Sequence, residues 1–452
     1  MTANSRTALW VVVCAVVCFA VATVTIVEWR YAIFRSDVDL GLFTQVVAGI
    51  GSGFSSTAEG GINHLLVHWS PAIALGWPFV RIFGPSGLEI FQALLVSLTL
   101  FPIWGMARVR FAAFPAAGVT VVCALYPILC ANAVGDFHEM AFVPFLSATL
   151  VYALDRRRFA LGILAAALLA CTKEDQFVVL AFNGLAIMLF TKRDAFERRF
   201  GRSIALVAVA GAVLYFAIVR NVMLPHVPYL STRFFDWSRA GGPSFGASIA
   251  VRLKYALQIF APLAFLPLVS RYGLFLIPGL IEVMASHEAV TVAPGEHYSA
   301  LLTGYALAAF VDGLGRLSAA RLRFAAAATA AVVSIAIAVF ASPMEYWYYL
   351  YRAPNAHDAL LQRTIDALPA GAEVGTEDEI FAHLGRDPNA SIDFTGKRWI
   401  LFDRTHYSDK WRFVDEPLVR RLLARKEYTV VSDRDSIVLL QKAGDRPRQR
   451  YP

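Results

Sequence analysis

Two acidic residues stand close together in the stretch EWRYAIFRSDVDLGLFTQ, directly after the first long apolar run of the chain. Either Asp37 or Asp39 could cap a short helix that begins near Leu40, because Asp favours helix N-caps and negative charge is stabilising there. A carboxylate at the rim of a membrane cavity could instead act as a general base on a hydroxyl group or hold a divalent cation. The residues alone leave both roles open, with Asp37 as a reasonable helix cap.

The pair His64 and His68 is the first candidate for metal binding. A spacing of four residues places both imidazoles on one face if the stretch is helical, and such a pair can bind zinc. A third ligand is not obvious nearby, and Asp37 is a further weak candidate. The alternative is that these histidines form hydrogen bonds to backbone or lipid phosphate at a membrane interface, which is commoner.

Further charged clusters stand at the ends of short apolar runs, in GDFHEM, CTKEDQF and APGEHYS. Such charges could simply be solvated, but short flanking runs leave them near the hydrocarbon, where they need a polar cavity. Lys and Arg suit a phosphate or pyrophosphate group. The candidate residues are Asp136, His138, Glu139, Lys173, Glu174, Asp175, Arg220, Arg233, Arg239, Glu296, His297 and Tyr298.

The composition identifies the elements that must position these residues as membrane helices. Of the 452 residues, 57% are hydrophobic and 17% charged, and the mean hydropathy is +0.55. The net charge of +7 collects in short loops between apolar runs, which argues against nucleic-acid binding. The five cysteines lie in or beside apolar runs and have no metal-ligand spacing.

Apolar runs of sufficient length predict about eleven membrane spans, two of them short. They are Ala8–Val27, Gly87–Ala107, Phe111–Asn132, Met140–Leu154, Phe159–Cys171, Phe177–Phe190, Ile204–Arg220, Tyr255–Val269, Tyr272–Ser286, Ala300–Val311 and Phe324–Ala341.

The basic clusters predict a cytoplasmic N-terminus, since every cluster then falls inside. This orientation requires His68–Phe83 to lie on the membrane as an interfacial helix. The first external loop, residues 28–86, then contains two such helices, this one and the short helix near Leu40. The acids, histidines and other polar clusters then gather on the outer side, which is the face where the sequence predicts a site.

After residue 341 the composition becomes mixed, and residues 342–443 predict a small extracytoplasmic α/β domain. NAHDALLQRTIDALP and EPLVRRLLARK are typical of helices, RWILF of a buried strand, and YTVVSDRDSIVLLQK of a hairpin that turns at DRD. A catalytic pattern is not visible in this region. The tail 444–452 is predicted to be disordered.

The order of these motifs resembles a widespread prokaryotic multi-pass membrane family, domain of unknown function 2079, and the polyprenyl-phosphate-dependent glycosyltransferases of the GT-C superfamily. The motifs that carry the resemblance are Asp39-Leu40-Gly41, Asn63, His68-Trp69-Ser70-Pro71, Gln92, His138, Lys173-Glu174-Asp175 and His297-Tyr298-Ser299.

The resemblance implies a GT-C-like fold that transfers a sugar from a polyprenyl-phosphate donor to an acceptor glycan, lipid or protein on the outer face of the inner membrane. Asp39 would be the base, and Lys173, helped by Arg220 or Arg233, would neutralise the leaving phosphate. The residues that would shape the site are His68, His138, Glu174 and His297. In many of the similar transferases a second acid follows the first, whereas Leu40 stands here, so a single base and an inverting displacement are expected.

A divalent metal stays an open expectation. The main alternative is a non-enzymatic transporter or assembly partner for lipid-linked sugars. A transporter would show paired discontinuous spans with polar residues at the midplane, whereas the polar residues here gather at one face. A metal-dependent hydrolase on the same scaffold would need more ligands than His64 and His68 supply.

Overall fold

Helices make up most of the described chain, and one small sheet lies near the C-terminus. The structure is a computed structural model that describes residues 3–190, 194–223, 246–341, 352–405 and 416–444. The helices are α1 Ala3–Ala32, α2 Val38–Ala48, α3 His64–Val67, α4 Trp77–Phe83, α5 Gly87–Ser97, α6 Leu100–Arg110, α7 Ala113–Ala124, α8 Pro127–Val134, α9 Val143–Asp155, α10 Phe159–Leu169, α11 Asp175–Phe190, α12 Ala195–Ala212, α13 Ile249–Phe260, α14 Ile277–Ala285, α15 Ala300–Arg316, α16 Ala320–Phe340, α17 Ala356–Asp366, α18 Asp378–Leu384 and α19 Glu416–Ala424.

Four of the described helical stretches are each long and apolar enough to cross a membrane. They are Ala3–Ala32, Gly87–Arg110, Ala195–Val222 and Ala320–Phe340. The pair α7 and α8, bent by 57°, would make a fifth if it forms one broken span. The other predicted spans fall on helices of fewer than 18 residues or on broken helical segments.

The loop 28–86 contains the two short helical segments that the sequence predicts. Helix α2 ends at Gly49. The second segment is a 3₁₀ turn, Pro71–Gly76, followed by α4. It ends at Gly84, whose φ of 77° is readily adopted by glycine because glycine lacks a Cβ. The interfacial helices of the fold prediction therefore have their counterparts in the structure.

The predicted span Tyr255–Val269 differs in detail from the structure. The α-helix ends at Phe260, and 3₁₀ turns follow, because Ala264 and Phe265 adopt positive φ values of 48° and 55°. Two prolines, Pro262 and Pro267, lack the N–H that a continuing helix needs. The hydropathy of the run does not reveal this break.

Helix α15 lies at the centre of the bundle and is buried along nearly its whole length. It packs closely against α9 at Gly304, where an added Cβ would lie 2.0 Å from Ser147 Oγ. Small residues at helix crossings let backbones approach closely, as is common in membrane bundles. The start of this helix is therefore held firmly in position, next to one of the predicted site residues, His297.

The C-terminal α/β unit consists of the described residues 352–405 and 416–444. Its strands β1 Val374–Thr376, β2 Trp399–Asp403, β3 Tyr428–Arg434 and β4 Ile437–Lys442 are ordered β1-β2-β4-β3. Strands β1 and β2 are parallel, and the other pairs are antiparallel. Helices α17 and α19, strand β2 and the hairpin confirm the sequence predictions.

Two elements of this unit were not predicted, β1 and α18. A strand of three residues and a helix of seven are too short to show a hydrophobic period. The predicted domain boundary near residue 342 lies outside the described residues, as does the predicted disordered tail beyond Gly444, so both stay predictions.

Candidate functional site

Asp39 lies in the first turn of α2, and Asp37 is the N-cap of that helix. The Asp37 carboxylate accepts a hydrogen bond from Val38 N at 2.6 Å, which confirms the capping role predicted for it. The backbone N–H of Asp37 donates to Asp136 Oδ1 at 2.7 Å. The start of α2 is thus tied to the turn that carries His138.

A charged network beneath this turn was not predicted. Arg30, at the end of α1, contacts both Glu89 and Asp136, the latter at 2.9 Å. Ser36 donates to Glu89 at 3.0 Å. The signal for the network was Glu89 itself, since a lone acid in an apolar run needs a partner. Its partner Arg30 lies at the end of another helix, which sequence spacing does not reveal.

His138 and His297 come together although they are far apart in the sequence. Their rings are stacked with centroids 3.4 Å apart and an angle of 6° between the planes. Asp39, His138 and His297 each offer a ligand atom, and these atoms all lie within 4.8 Å of one another. Among the described residues, these three side chains form the one group of at least three His, Cys, Asp or Glu residues whose geometry could hold a metal ion.

Polar side chains on the helices fix the two turns that carry these histidines. Gln92 of α5 donates to Gly135 O at 2.7 Å, in the turn before His138. Asn132 of α8 donates to Ser299 Oγ at 2.7 Å and accepts from Thr303 Oγ1 at 2.7 Å. These bonds join the end of α8 to the start of α15, directly after His297.

Lys173 extends the cluster with a buried positive charge. Its Nζ lies 3.3 Å from Glu139 Oε1 and 5.8 Å from the centre of the Tyr298 ring. Glu139 Oε2 in turn lies 3.1 Å from His138 Nδ1. Burial lowers the pKa of Lys173, but the carboxylates of Glu139, Asp175 and Glu174 outweigh it and leave the pKa raised. The ammonium group is therefore kept charged beside the histidine pair.

Glu174 joins the turn after α10 to the loop 28–86. Its carboxylate accepts from Trp69 N at 2.9 Å and lies 2.9 Å from His68 Nδ1. Burial opposes ionisation of Glu174, but the hydrogen bond and charge of His68 bring its pKa to about 2. Burial and Lys173 lower the pKa of His68, while Glu174 raises it above the ordinary value. Each partner therefore favours the charged form of the other.

The pKa shifts of Asp39, His138 and His297 all favour the neutral form of the side chain. Desolvation, followed by the charges of Asp37 and Asp136, raises the pKa of Asp39 well above its ordinary value. Burial, together with the nearby Lys173, holds the pKa of both His138 and His297 well below the usual range. The two imidazoles are neutral, with a lone pair available on one ring nitrogen each.

The other predicted site residues have separate contacts. His64 Nδ1 lies 2.9 Å from Glu59 Oε1, and its ring centre is 6.2 Å from that of His68. Arg220 donates to Leu66 O at 2.7 Å, between the two histidines. The structure thus places Arg220 against the loop 28–86, and its predicted role at a phosphate stays a prediction. Arg233 and Arg239 lie outside the described residues.

The C-terminal α/β unit packs directly against α2, a contact that the sequence did not predict. An added Cβ on Gly41 would lie 2.4 Å from Phe381 Cδ1 of α18. Gln45 donates to Asp387 O at 2.7 Å and to Ala390 O at 3.0 Å. This contact gives Gln45 a role in joining the two parts of the protein, whereas the sequence indicated only local packing for it.

The residues before α2 are held by the same unit. The ring of His383 stacks on Tyr31 and Phe34, with centroid distances of 3.9 and 3.8 Å. Phe34 adopts a φ of 55°, which turns the chain sharply between α1 and α2. Helix α2, and with it Asp39, therefore has the membrane bundle on one side and α18 on the other.

The site thus combines a carboxylate, neutral imidazoles and a buried cation within one polar cluster. A carboxylate with a raised pKa is a stronger base in its ionised form. A buried ammonium group stabilises negative charge more strongly than an exposed one, because the local dielectric constant is lower. These are the elements needed for proton removal beside a phosphate or another anionic group.

Comparison with solved structures identifies proteins with a similar fold. The chain aligns with ArnT from Cupriavidus metallidurans bound to undecaprenyl phosphate, with a TM-score of 0.59, 14% identity, and 96% of this chain and 99% of that chain covered. The apo form of ArnT gives a TM-score of 0.59 at 13% identity, covering 94% of this chain and 97% of that one. The Archaeoglobus fulgidus oligosaccharyltransferase aligns at a TM-score of 0.46 and 12% identity, over 94% of this chain and 73% of that one.

The first two similarities establish a GT-C-like fold, as the sequence motifs implied. Among curated proteins, no match was found. The sequence does match a family described as "Predicted membrane protein (DUF2079)", over residues 30–242 and 244–439, which is most of the chain. The match includes α2, both histidine turns and most of the C-terminal unit. The protein therefore belongs to the DUF2079 family of membrane proteins.

Proposed function

We propose that the protein transfers a sugar from a polyprenyl-phosphate donor to an acceptor hydroxyl at the outer face of the inner membrane. The observation that carries the proposal is the convergence of Asp39, His138, His297 and Lys173, from separate turns, on one polar cluster. The fold shared with ArnT, whose structure was solved with undecaprenyl phosphate, supports a lipid-linked donor. The outer location rests on the charge-based orientation.

Lys173 is the residue that stabilises the leaving phosphate in this proposal. It is held by Glu139 at 3.3 Å, and its side chain is 11% exposed, so the charge is fixed but reachable from the cluster. As the bond to the sugar breaks, negative charge develops on the phosphate oxygens, and a prepositioned cation lowers the free energy of that state. Arg233 is a further candidate for the same phosphate, and Arg220 supports the loop around His68.

Asp39 receives the proton of the acceptor. The acceptor oxygen forms a bond to the anomeric carbon, the bond from that carbon to the phosphate oxygen breaks, and its electron pair leaves with the polyprenyl phosphate. With Asp39 as the single assigned base, a single displacement with inversion is the simplest course. His68, His138, Glu174 and His297 shape the cavity, since their contacts hold the turns around Asp39.

The test is to incubate purified protein with polyprenyl-phosphate sugars and measure donor consumption for wild type and Asp39→Asn. We expect the variant to lose activity by about 10²- to 10⁴-fold, the usual contribution of a general base. Asp366→Asn is the matched control, because Asp366 is exposed and accepts a hydrogen bond from Gln362 on α17.

Full activity of Asp39→Asn would show that the assigned base is wrong. If wild type neither consumes nor binds any of these donors, the enzymatic proposal itself fails. Binding without consumption would instead favour a carrier or assembly partner for lipid-linked sugars.

A further inference from the structure

Asp39, His138 and His297 form a site with the ligand types of a divalent transition metal. Asp39 lies on α2, and His138 directly precedes the turn Glu139–Phe142. His297 begins the turn His297–Ser299. One ligand atom from each lies within 4.8 Å of the other two. The lone pairs of the two stacked rings lie in nearly parallel planes, so rotation of the rings is needed to bring all three ligand atoms to about 2.0–2.2 Å from a shared ion.

An unsatisfied nitrogen provides an independent indication of a ligand. His297 Nε2 is buried and has no hydrogen-bond partner among the described residues. A buried polar atom without a partner costs about 1–3 kcal/mol, so native structures rarely contain one without a reason. A metal ion would satisfy this nitrogen, and the neighbouring stacked ring of His138 can supply a second one.

The surroundings of His138 fit the same interpretation. Its Nδ1 lies 3.1 Å from Glu139 Oε2, and Lys173 lies 3.3 Å from the other oxygen of that carboxylate. His138 Nδ1 also accepts a hydrogen bond from Met140 N at 3.4 Å, so backbone and carboxylate together hold the ring in place. An ion bound at Nε2 would place the ring proton on Nδ1, where the Glu139 carboxylate can accept it.

The ligand atoms, two imidazole nitrogens and one carboxylate oxygen, indicate which metal ions the site would bind. Magnesium and calcium prefer oxygen ligands, whereas imidazole nitrogens suit zinc and its neighbours in the first transition series. Two histidines and one carboxylate also leave at least one coordination position open, as catalytic zinc sites do.

We propose that Asp39, His138 and His297 bind a divalent transition-metal ion of the zinc class, with an open position for the acceptor hydroxyl. A single oxygen of Asp39 binds the ion, and its second oxygen remains available for the acceptor proton. The ion makes the bound hydroxyl more acidic. This role rests on the proposed function, whereas binding of the ion does not.

The experiment measures binding directly, with Co²⁺ as a coloured probe and Zn²⁺ as competitor. Purified full-length protein is stripped with a chelator and titrated while the visible absorption of Co²⁺ is recorded. We expect about one ion per chain, and displacement by Zn²⁺. His138→Ala and His297→Ala should each weaken binding by at least 10- to 100-fold, and Asp39→Asn should also weaken it.

His68→Ala is the matched control, because His68 lies near the cluster but pairs with Glu174. Binding that is lost in this variant, and kept in His297→Ala, would overturn the assignment, as would the absence of binding in wild type. Thermal unfolding of each variant shows whether a loss of binding follows from misfolding, and His297→Asn serves as a second, smaller change if His297→Ala fails to fold.

Failure of this inference and failure of the proposed function can be told apart. Stoichiometric binding that depends on His138 and His297, in a protein that consumes no polyprenyl-phosphate sugar, would support the metal site and contradict the transferase proposal. Full transferase activity in stripped protein, with no rise on addition of Zn²⁺ or Co²⁺, would contradict the metal role while the transferase proposal stands.

Discussion

At the scale of single residues, Glu174 shows how the motifs in the sequence depend on one another. Its carboxylate holds Trp69 N and His68 Nδ1, each at 2.9 Å, so the KED and HWSP motifs form one contact. The sequence predicts that both motifs belong to the site, since each combines charge with the end of an apolar run. It does not predict which atoms pair, because the two motifs are separated by more than a hundred residues.

Glu174→Gln is expected to destabilise the protein by about 1–3 kcal/mol, because a charged hydrogen bond is replaced by a neutral one. The contribution of Glu174, with its lowered pKa, is present above the ordinary Glu value of about 4.3 and is lost as the pH falls towards about 2. The contribution of His68, with its raised pKa, is present below about 6.5 and is lost as the pH rises through the folded-state value.

The difference in melting temperature between wild type and Glu174→Gln should therefore be largest between about pH 4.5 and 6.5 and shrink on either side. Thermal unfolding in detergent at a series of pH values measures it. Glu427→Gln is the matched control, since Glu427 is 46% exposed and lies 3.7 Å from Arg425 in the α/β unit. A difference that does not vary with pH would contradict the ion pair.

At the scale of elements, α2 is predictable and its surroundings are not. The Asp N-cap, the apolar stripe and the glycines after it identify the helix from the sequence. The partner α18 is a seven-residue helix with no periodic signal, and the close approach at Gly41 depends on a residue in another part of the chain. The same holds for His138 and His297: their turns are predictable, but the stacking of the rings is set by helix packing.

Gly41→Ala should loosen the contact between α2 and α18, since the added Cβ would lie 2.4 Å from Phe381 Cδ1 and 2.8 Å from Phe381 O. Overpacking of this kind typically costs about 1–3 kcal/mol. We expect a lower melting temperature and, because Asp39 is two residues away, weaker Co²⁺ binding. Thermal unfolding and the Co²⁺ titration measure the two effects.

Gly51→Ala is the control for this variant, because an added Cβ there meets no atom within 4 Å and the residue has no positive φ. If Gly41→Ala and Gly51→Ala behave alike in both measurements, then α18 does not set the position of α2.

At the scale of the whole molecule, a second charged network joins the helices at the end remote from Asp39. Arg110 of α6 contacts Asp155 of α9 at 2.7 Å and Asp312 of α15 at 2.8 Å. The stretch Gly87–Arg110 contains 24 residues, so at a rise of about 1.5 Å per residue this network lies roughly 36 Å along the bundle from Gly87. The sequence predicts basic residues at this end but not their acidic partners.

Arg110→Leu should lower the stability of the bundle by about 3–5 kcal/mol, because it leaves two buried carboxylates without their shared partner. We expect a clear fall in melting temperature, with Co²⁺ binding retained in the fraction that remains folded. Arg425→Leu, at a side chain that is 72% exposed, should change the melting temperature little. Equal effects of the two substitutions would show that the network is not stabilising.

The contact between Gln45 and Asp387 also affects the order in which the protein is completed during biosynthesis. These residues are 342 positions apart. At about 5–20 residues per second, a ribosome needs on the order of tens of seconds to make the chain between them. Asp39 thus leaves the ribosome early, yet the surface that seats its helix is made near the end. Unfinished chains accordingly lack the surface that seats α2, so the candidate site is assembled only in nearly complete copies.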